Sequence, residues 1–168
     1  MLIAGVFIAL VSYNPSFVIK YVVAICSLLA GICAIMVARS SVESVISLKS
    51  QWLIGVGLIV YAAVVTFYAN DLRSFLMATS FFLLLYGIVE VIFTFGVLNQ
   101  RGRPEWKVIL LKVITGFVAS IGAMWILITA PEGANVALLF SGLITFLTGV
   151  SFALVSPYLG KPLVVNKV

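Results

Sequence analysis

Glu90 and Lys112 are the two ionisable side chains that stand well inside long apolar runs of this chain, so they are the first candidates for chemistry. Glu90 sits eight residues before its run ends at Leu98, or about 12 Å from that edge if the run is a helix. Lys112 lies roughly 8 Å into the following run by the same measure. A short link joins the two runs, so as helices they would be antiparallel neighbours with these side chains at nearly equal depth. A charge at mid-membrane costs about 2.5–3.5 kcal/mol on insertion scales. Pairing Glu90 with Lys112 reduces that cost, and a proton on Glu90 would avoid much of it. Either way Glu90 is expected to face protein. Two readings follow. In one, Glu90 is a carboxylate that couples proton or ion passage in a small transporter or channel. In the other, Glu90 and Lys112 form a packing pair, or Lys112 snorkels to the interface.

Other chemistries find little support. The sequence has no histidine, which removes the commonest general base and metal ligand. Its two cysteines, Cys26 and Cys33, lie seven apart in one apolar run, with no second pair or histidine cluster to complete a zinc site. They read as inert buried thiols. No glycine-rich segment precedes a Lys-Ser or Lys-Thr, as a nucleotide loop requires. No serine is set with an acid and a base for nucleophilic catalysis. No catalytic, cofactor-binding or metal-binding residues are expected, and the chain reads as non-enzymatic.

The elements that must position Glu90 and Lys112 are set by composition. The 168 residues are 64% hydrophobic and 9% charged, with mean hydropathy +1.29. A soluble domain carries about 25% charged residues, so lipid is the natural solvent for most of this chain. The apolar runs lack the period-2 alternation of a membrane β-barrel. The expected fold is all-α, a polytopic transmembrane bundle of about six spans near 1–13, 16–38, 51–69, 74–98, 107–130 and 135–155. These make one transmembrane domain over 1–156, followed by a cytoplasmic tail at 157–168. Asn14-Pro15, Asn70-Asp71 and Ala130-Pro131-Glu132-Gly133 read as tight turns. Between Arg39 and Ser50, the capping-box pattern of Ser40 and Glu43 precedes Val42, Val45, Ile46 and Leu48. That segment is either a short interfacial helix or an early start of the third span. Arg101 to Glu105 is a turn with Pro104 near the start of the fifth helix.

Charge sets the orientation. Arg39, Lys49, Arg101, Arg103, Lys107, Lys161 and Lys167 fall on one side, against Lys20 and Arg73 on the other. By the positive-inside rule both termini are cytoplasmic. The net charge of +5 is spread between apolar runs and fits topology better than a nucleic-acid face. The lipid bilayer is the expected partner, with a homo-oligomer or another membrane protein as further candidates. Trp52 and Trp106 on one side, and Tyr68 and Trp125 on the other, fit interfacial belts.

The spans also repeat. Tyr13-Asn14-Pro15, Tyr68-Ala69-Asn70 and Thr129-Ala130-Pro131 end the first helix of each hairpin. Leu29-Ala30-Gly31-Ile32, Leu85-Tyr86-Gly87-Ile88 and Leu147-Thr148-Gly149-Val150 mark the second helices. The glycines are spaced by 56 and 62 residues, which predicts three repeated helical hairpins of one orientation. Gly55 and Gly116 each stand fifteen residues before their turn, and the matching position before Pro15 would be residue zero. The expectation is a start codon upstream or an unusually short first span. A signal peptide is the rival, though residues 1–13 lack a basic n-region and a small-x-small site. In the sixth helix Ala137, Ser141, Thr145, Gly149 and Ala153 recur every four residues as a small-residue packing stripe. Ala30, Ala34 and Ala38 repeat the device in helix two, and Gly116 with Ser120 in helix five. Internal packing is the favoured use of these stripes, with a dimer interface as the alternative.

Three hairpins, turns at Asn-Pro or Ala-Pro, and the Gly-Ile or Gly-Val step of each second helix resemble the HdeD-like family of small bacterial membrane proteins. The resemblance covers nearly the whole chain. It implies a six-span inner-membrane protein, with a part in acid or envelope stress tolerance, and it supplies no catalytic residues. The chain departs from it in its clipped first helix and in Glu90, whose equivalents in the other repeats are Ala34 and Phe152.

Overall fold

A computed structural model of the chain describes residues 2–11, 19–40, 45–98, 106–129 and 134–159. These residues form six α-helices: α1 (Leu2–Val11), α2 (Ile19–Ser40), α3 (Val45–Tyr68), α4 (Leu72–Leu98), α5 (Trp106–Thr129) and α6 (Ala134–Leu159). Five of them, α2 to α6, are long and apolar enough to cross a membrane. The sixth, α1, has 10 residues and a length of about 15 Å, half a hydrocarbon core.

The boundaries differ from the sequence reading in instructive ways. Val45 and Ile46 belong to one continuous α3, so they begin the third span early and form no separate interfacial helix. Ser40 is the last residue of α2, while Glu43 and the Pro15, Arg101–Glu105 and Pro131 turns lie outside the described residues. α6 runs four residues past its expected end, through Pro157, and so enters the segment expected to be tail. A proline in a last turn gives up one helical hydrogen bond without ending the apolar run. α4 starts two residues early because Asp71 caps it. Its Oδ1 accepts the Ser74 amide at 3.1 Å and the Ser74 hydroxyl.

Each helix packs on its neighbours in chain order, and α1 packs on α6 to close a ring. The most extensive seams are α2 with α3, α4 with α5, and α1 with α6. The bundle is apolar outside and partly polar inside. Ile25, Leu29, Ile32 and Met36 face outward from α2, and Phe81, Leu85, Ile88, Ile92 and Phe95 from α4. Ser27, Thr79, Ser80, Glu90, Ser141, Thr145, Thr148 and Ser151 are buried. In water so large an exposed apolar surface would aggregate, whereas in lipid it is the solvent-facing side. The inner hydroxyls stay satisfied by bonding back to carbonyls of their own helices, as Thr79 does to Phe75 and Thr145 to Ser141.

Glycine makes the three large seams close. A Cβ on Gly31 would stand 2.8 Å from the Gly55 carbonyl, and one on Gly55 would stand 2.9 Å from the Gly31 carbonyl. The same reciprocal approach joins Gly87 to Gly116, at 2.5 and 3.1 Å. Between α6 and α1, a Cβ on Gly149 would meet the Leu2 amide at 2.6 Å, and one on Gly142 the Ala9 amide at 2.5 Å. Any larger residue at these points would push one backbone off the other.

Candidate functional site

α4 sets Tyr86 and Glu90 four residues apart, so both side chains lie on the face turned to α5. α5 sets Lys112 one turn before Gly116, whose contact with Gly87 brings the two backbones together. A Cβ on Gly116 would stand 3.3 Å from the Glu90 Cβ, so the glycine also gives the carboxylate its room. Lys112 Nζ lies 2.8 Å from Glu90 Oε2. The Tyr86 hydroxyl donates to Glu90 Oε1 at 3.1 Å. Glu90 is 2% exposed and Lys112 is 17% exposed.

Hydroxyls surround the pair. Thr94 donates to the Glu90 main-chain carbonyl at 2.7 Å. Thr115 donates to the carbonyls of Leu111 and Lys112, and its Oγ1 lies 3.3 Å from Ser151 Oγ on α6. The Tyr86 ring tilts against Phe152 of α6 with centroids 5.8 Å apart. The site therefore joins three helices, with its charge confined to α4 and α5. Both carboxylate oxygens have a donor, one of them a cation. Chemically this is a buried ion pair, and a proton or cation arriving at Glu90 would compete with the Lys112 ammonium for its charge.

Sequence reasoning named Glu90 and Lys112 and missed Tyr86. The signal was available, because a tyrosine one turn before an intramembrane glutamate has its hydroxyl within reach of it. A second polar contact was also missed: the Tyr61 hydroxyl lies 2.8 Å from Thr79 Oγ1, joining α3 to α4. Thr79 already donates to Phe75, so Tyr61 is the donor. At the far end of the bundle, Lys20 Nζ donates to the Ala69 carbonyl at 3.3 Å, a cation at the C-terminus of α3.

Of the small-residue stripe, Ala137, Ser141, Thr145 and Gly149 are buried in the bundle, while Ala153 is exposed and takes no part in the packing. α1 is held by Gly149 on the stripe and also by Gly142, one place off it. The four-residue period drifts about 40° per step from a 3.6-residue helix, so a long straight stripe leaves the packed face at its end. Ala38 is buried in helix two, while Ala30 and Ala34 are half-buried. The expectation of two buried thiols needs correction: Cys26 is half-buried and Cys33 is exposed on the apolar outer face. No protein-family model, curated protein or solved structure matches this chain.

Proposed function

We propose that this chain is a non-enzymatic multi-pass protein of a bacterial inner membrane, with both termini cytoplasmic, serving envelope or acid stress tolerance as its HdeD-like resemblance implies. The observation that carries the non-transport reading is the burial of Glu90 in an ion pair with Lys112. Its oxygens accept from Lys112 and Tyr86 and it is 2% exposed, so passage of an ion there would begin by breaking the Glu90–Lys112 pair. Orientation rests on the seven-to-two division of basic residues.

Within the same proposal the chain is three alike hairpins. Counted from Gly31, Gly87 and Gly149, the residues eight places earlier (Val23, Thr79, Ser141) and four places earlier (Ser27, Leu83, Thr145) are all buried. Counted from Gly55 and Gly116, Leu58 and Ala119, then Ala62 and Ala123, then Val65 and Ile126 are buried in turn. In α1 the buried Ala4 and Ile8 fit this spacing if the count starts at residue 1, one later than the turns suggested.

The test is ion and proton flux through the purified protein in liposomes, with Glu90→Gln as the control. The expected result is flux no greater than in protein-free vesicles. A flux that Glu90→Gln abolishes would replace this reading with a small transporter or channel coupled through Glu90. In cells lacking the chain, a folded Glu90→Gln variant should restore survival under acid challenge as well as the natural sequence does.

A further inference from the structure

Charge in this chain is sorted by depth. Inside the bundle Glu90 and Lys112 cancel each other. At the end where α3 and α5 begin, Arg39, Lys49, Arg101, Arg103, Lys107, Lys161 and Lys167 stand against Glu43 and Glu105, so the whole net charge of +5 is gathered there. At the other end Lys20 and Arg73 balance Asp71 and Glu132. Orientation needs only the excess of Lys and Arg, to which acidic residues contribute little. A net charge does more, because it acts on whatever surrounds it, and at headgroup level that is lipid. Nor is the excess spread evenly. The α4–α5 link and the first turn of α5 carry Arg101, Arg103 and Lys107 against Glu105 alone, within seven residues. The α2–α3 connection carries Arg39 and Lys49 against Glu43.

We propose that the α4–α5 corner of the charged end is a docking surface for anionic phospholipid headgroups. Arg101, Arg103 and Lys107 supply the attraction, and Trp106 supplies a ring at the level where headgroup meets acyl chain. Trp106 is the first residue of α5 and is 67% exposed. Lys112, further in, adds nothing to this, since its ammonium lies 2.8 Å from the Glu90 carboxylate. Each Lys or Arg near an anionic leaflet strengthens the attraction, which fades within a Debye length. A soluble phosphate would meet the same cations but has no chain to pack on the exposed indole. A phospholipid answers to both, because binding at this level adds apolar contact to attraction between charges.

The three tryptophans make the test local, since Trp106 and Trp52 are exposed near the charged end and Trp125 lies near the neutral one. Chains keeping one tryptophan, with the other two changed to Phe, are reconstituted in vesicles of equal phosphatidylcholine and phosphatidylglycerol. One lipid or the other carries brominated acyl chains, and the ratio of quenching gives the preference for the anionic lipid. At about 0.1 M salt the preference should be roughly threefold at Trp106, smaller at Trp52 and about one at Trp125. At about 1 M salt the Debye length is about 3 Å, and the preference at Trp106 should fall to about one. Arg101→Gln with Arg103→Gln leaves Lys107 balanced by Glu105, so it should have the same effect at low salt and leave Trp52 unchanged. Equal preference at Trp106 and Trp125, or a Trp106 preference that survives the high salt or the double substitution, overturns the proposal. A fall at Trp52 as large as that at Trp106 also overturns it, since the field of the whole end would then act and not one corner. The inference rests on the membrane reading of the chain, whose own failure would appear as no quenching by either lipid at any tryptophan. Vesicles with the same lipids in both leaflets make the outcome independent of which end is cytoplasmic.

Discussion

The α4–α5 and α1–α6 seams bring backbones equally close, yet different means define them. At α4–α5 one glycine pair sets the approach, and a charge pair lies one turn away. At α1–α6 no charge is present among the described residues, and Gly5, Gly142 and Gly149 all press against backbone. The first seam is specified by charge and the second by shape. In lipid both are sound devices, but they should fail differently: charge fails when one partner is lost, shape when something is added.

The largest effect should come from leaving one charge alone. Lys112→Met keeps the length of the side chain and removes the ammonium, so the Glu90 carboxylate stays buried against Tyr86 with no cation. The expected loss is about 3–5 kcal/mol in reversible unfolding from mixed micelles. A loss near zero would mean that the pair is solvated in the membrane and that the contrast between the seams is false. Tyr86→Phe should cost less, about 1.5–3 kcal/mol, because it removes one hydrogen bond to a charged group and leaves the pair intact.

Shape is tested by addition. Gly142→Leu forces side-chain atoms into the Ala9 backbone, and overpacking of this kind costs about 1–3 kcal/mol. The same measurement on Gly57→Ala is the control. Its added Cβ meets only Phe82 Cε2, at 3.9 Å, so no loss is expected. If Gly142→Leu proves as harmless as Gly57→Ala, then α1 is held by something other than its glycines.

How much of this was legible depends on which force acts. Lipid demands about 20 apolar residues per span, so α2 to α6 stood out in the sequence, and so did a charge such as Glu90 among them. Matching depth on antiparallel helices was enough to pair Glu90 with Lys112. Rotation about the helix axis was harder, because every face of these helices is apolar. Hence Ala153 was assigned to a packed face it does not reach, Cys33 to an interior it does not enter, and Gly142 was overlooked beside a more regular stripe. Tyr86 stood in the sequence only as part of the repeated Leu85-Tyr86-Gly87-Ile88 segment, although its hydroxyl completes the site.

The smallest effect sharpens the comparison from outside the membrane. Asp71 and Glu90 are the two carboxylates among the described residues, and each accepts a hydroxyl hydrogen bond. Asp71 lies exposed on the turn before α4. The Ser74 hydroxyl, and then the Ser74 amide, hold its carboxyl below the usual range. The folded chain thus favours the carboxylate more than the unfolded chain does. The contribution of the cap is complete above the ordinary carboxyl value of about 3.9 and fades as pH falls through the lower folded value. The difference in stability between the natural chain and Asp71→Ala should be constant from neutral pH down to about 5, then shrink below about 4. A difference that grows on acidification would mean that the cap works through the protonated acid and would overturn the assignment. Water can replace lost donors at Asp71 and has little access to Glu90, so removing Ser74 should matter far less than removing Tyr86. The same bond to the same group then measures what burial adds.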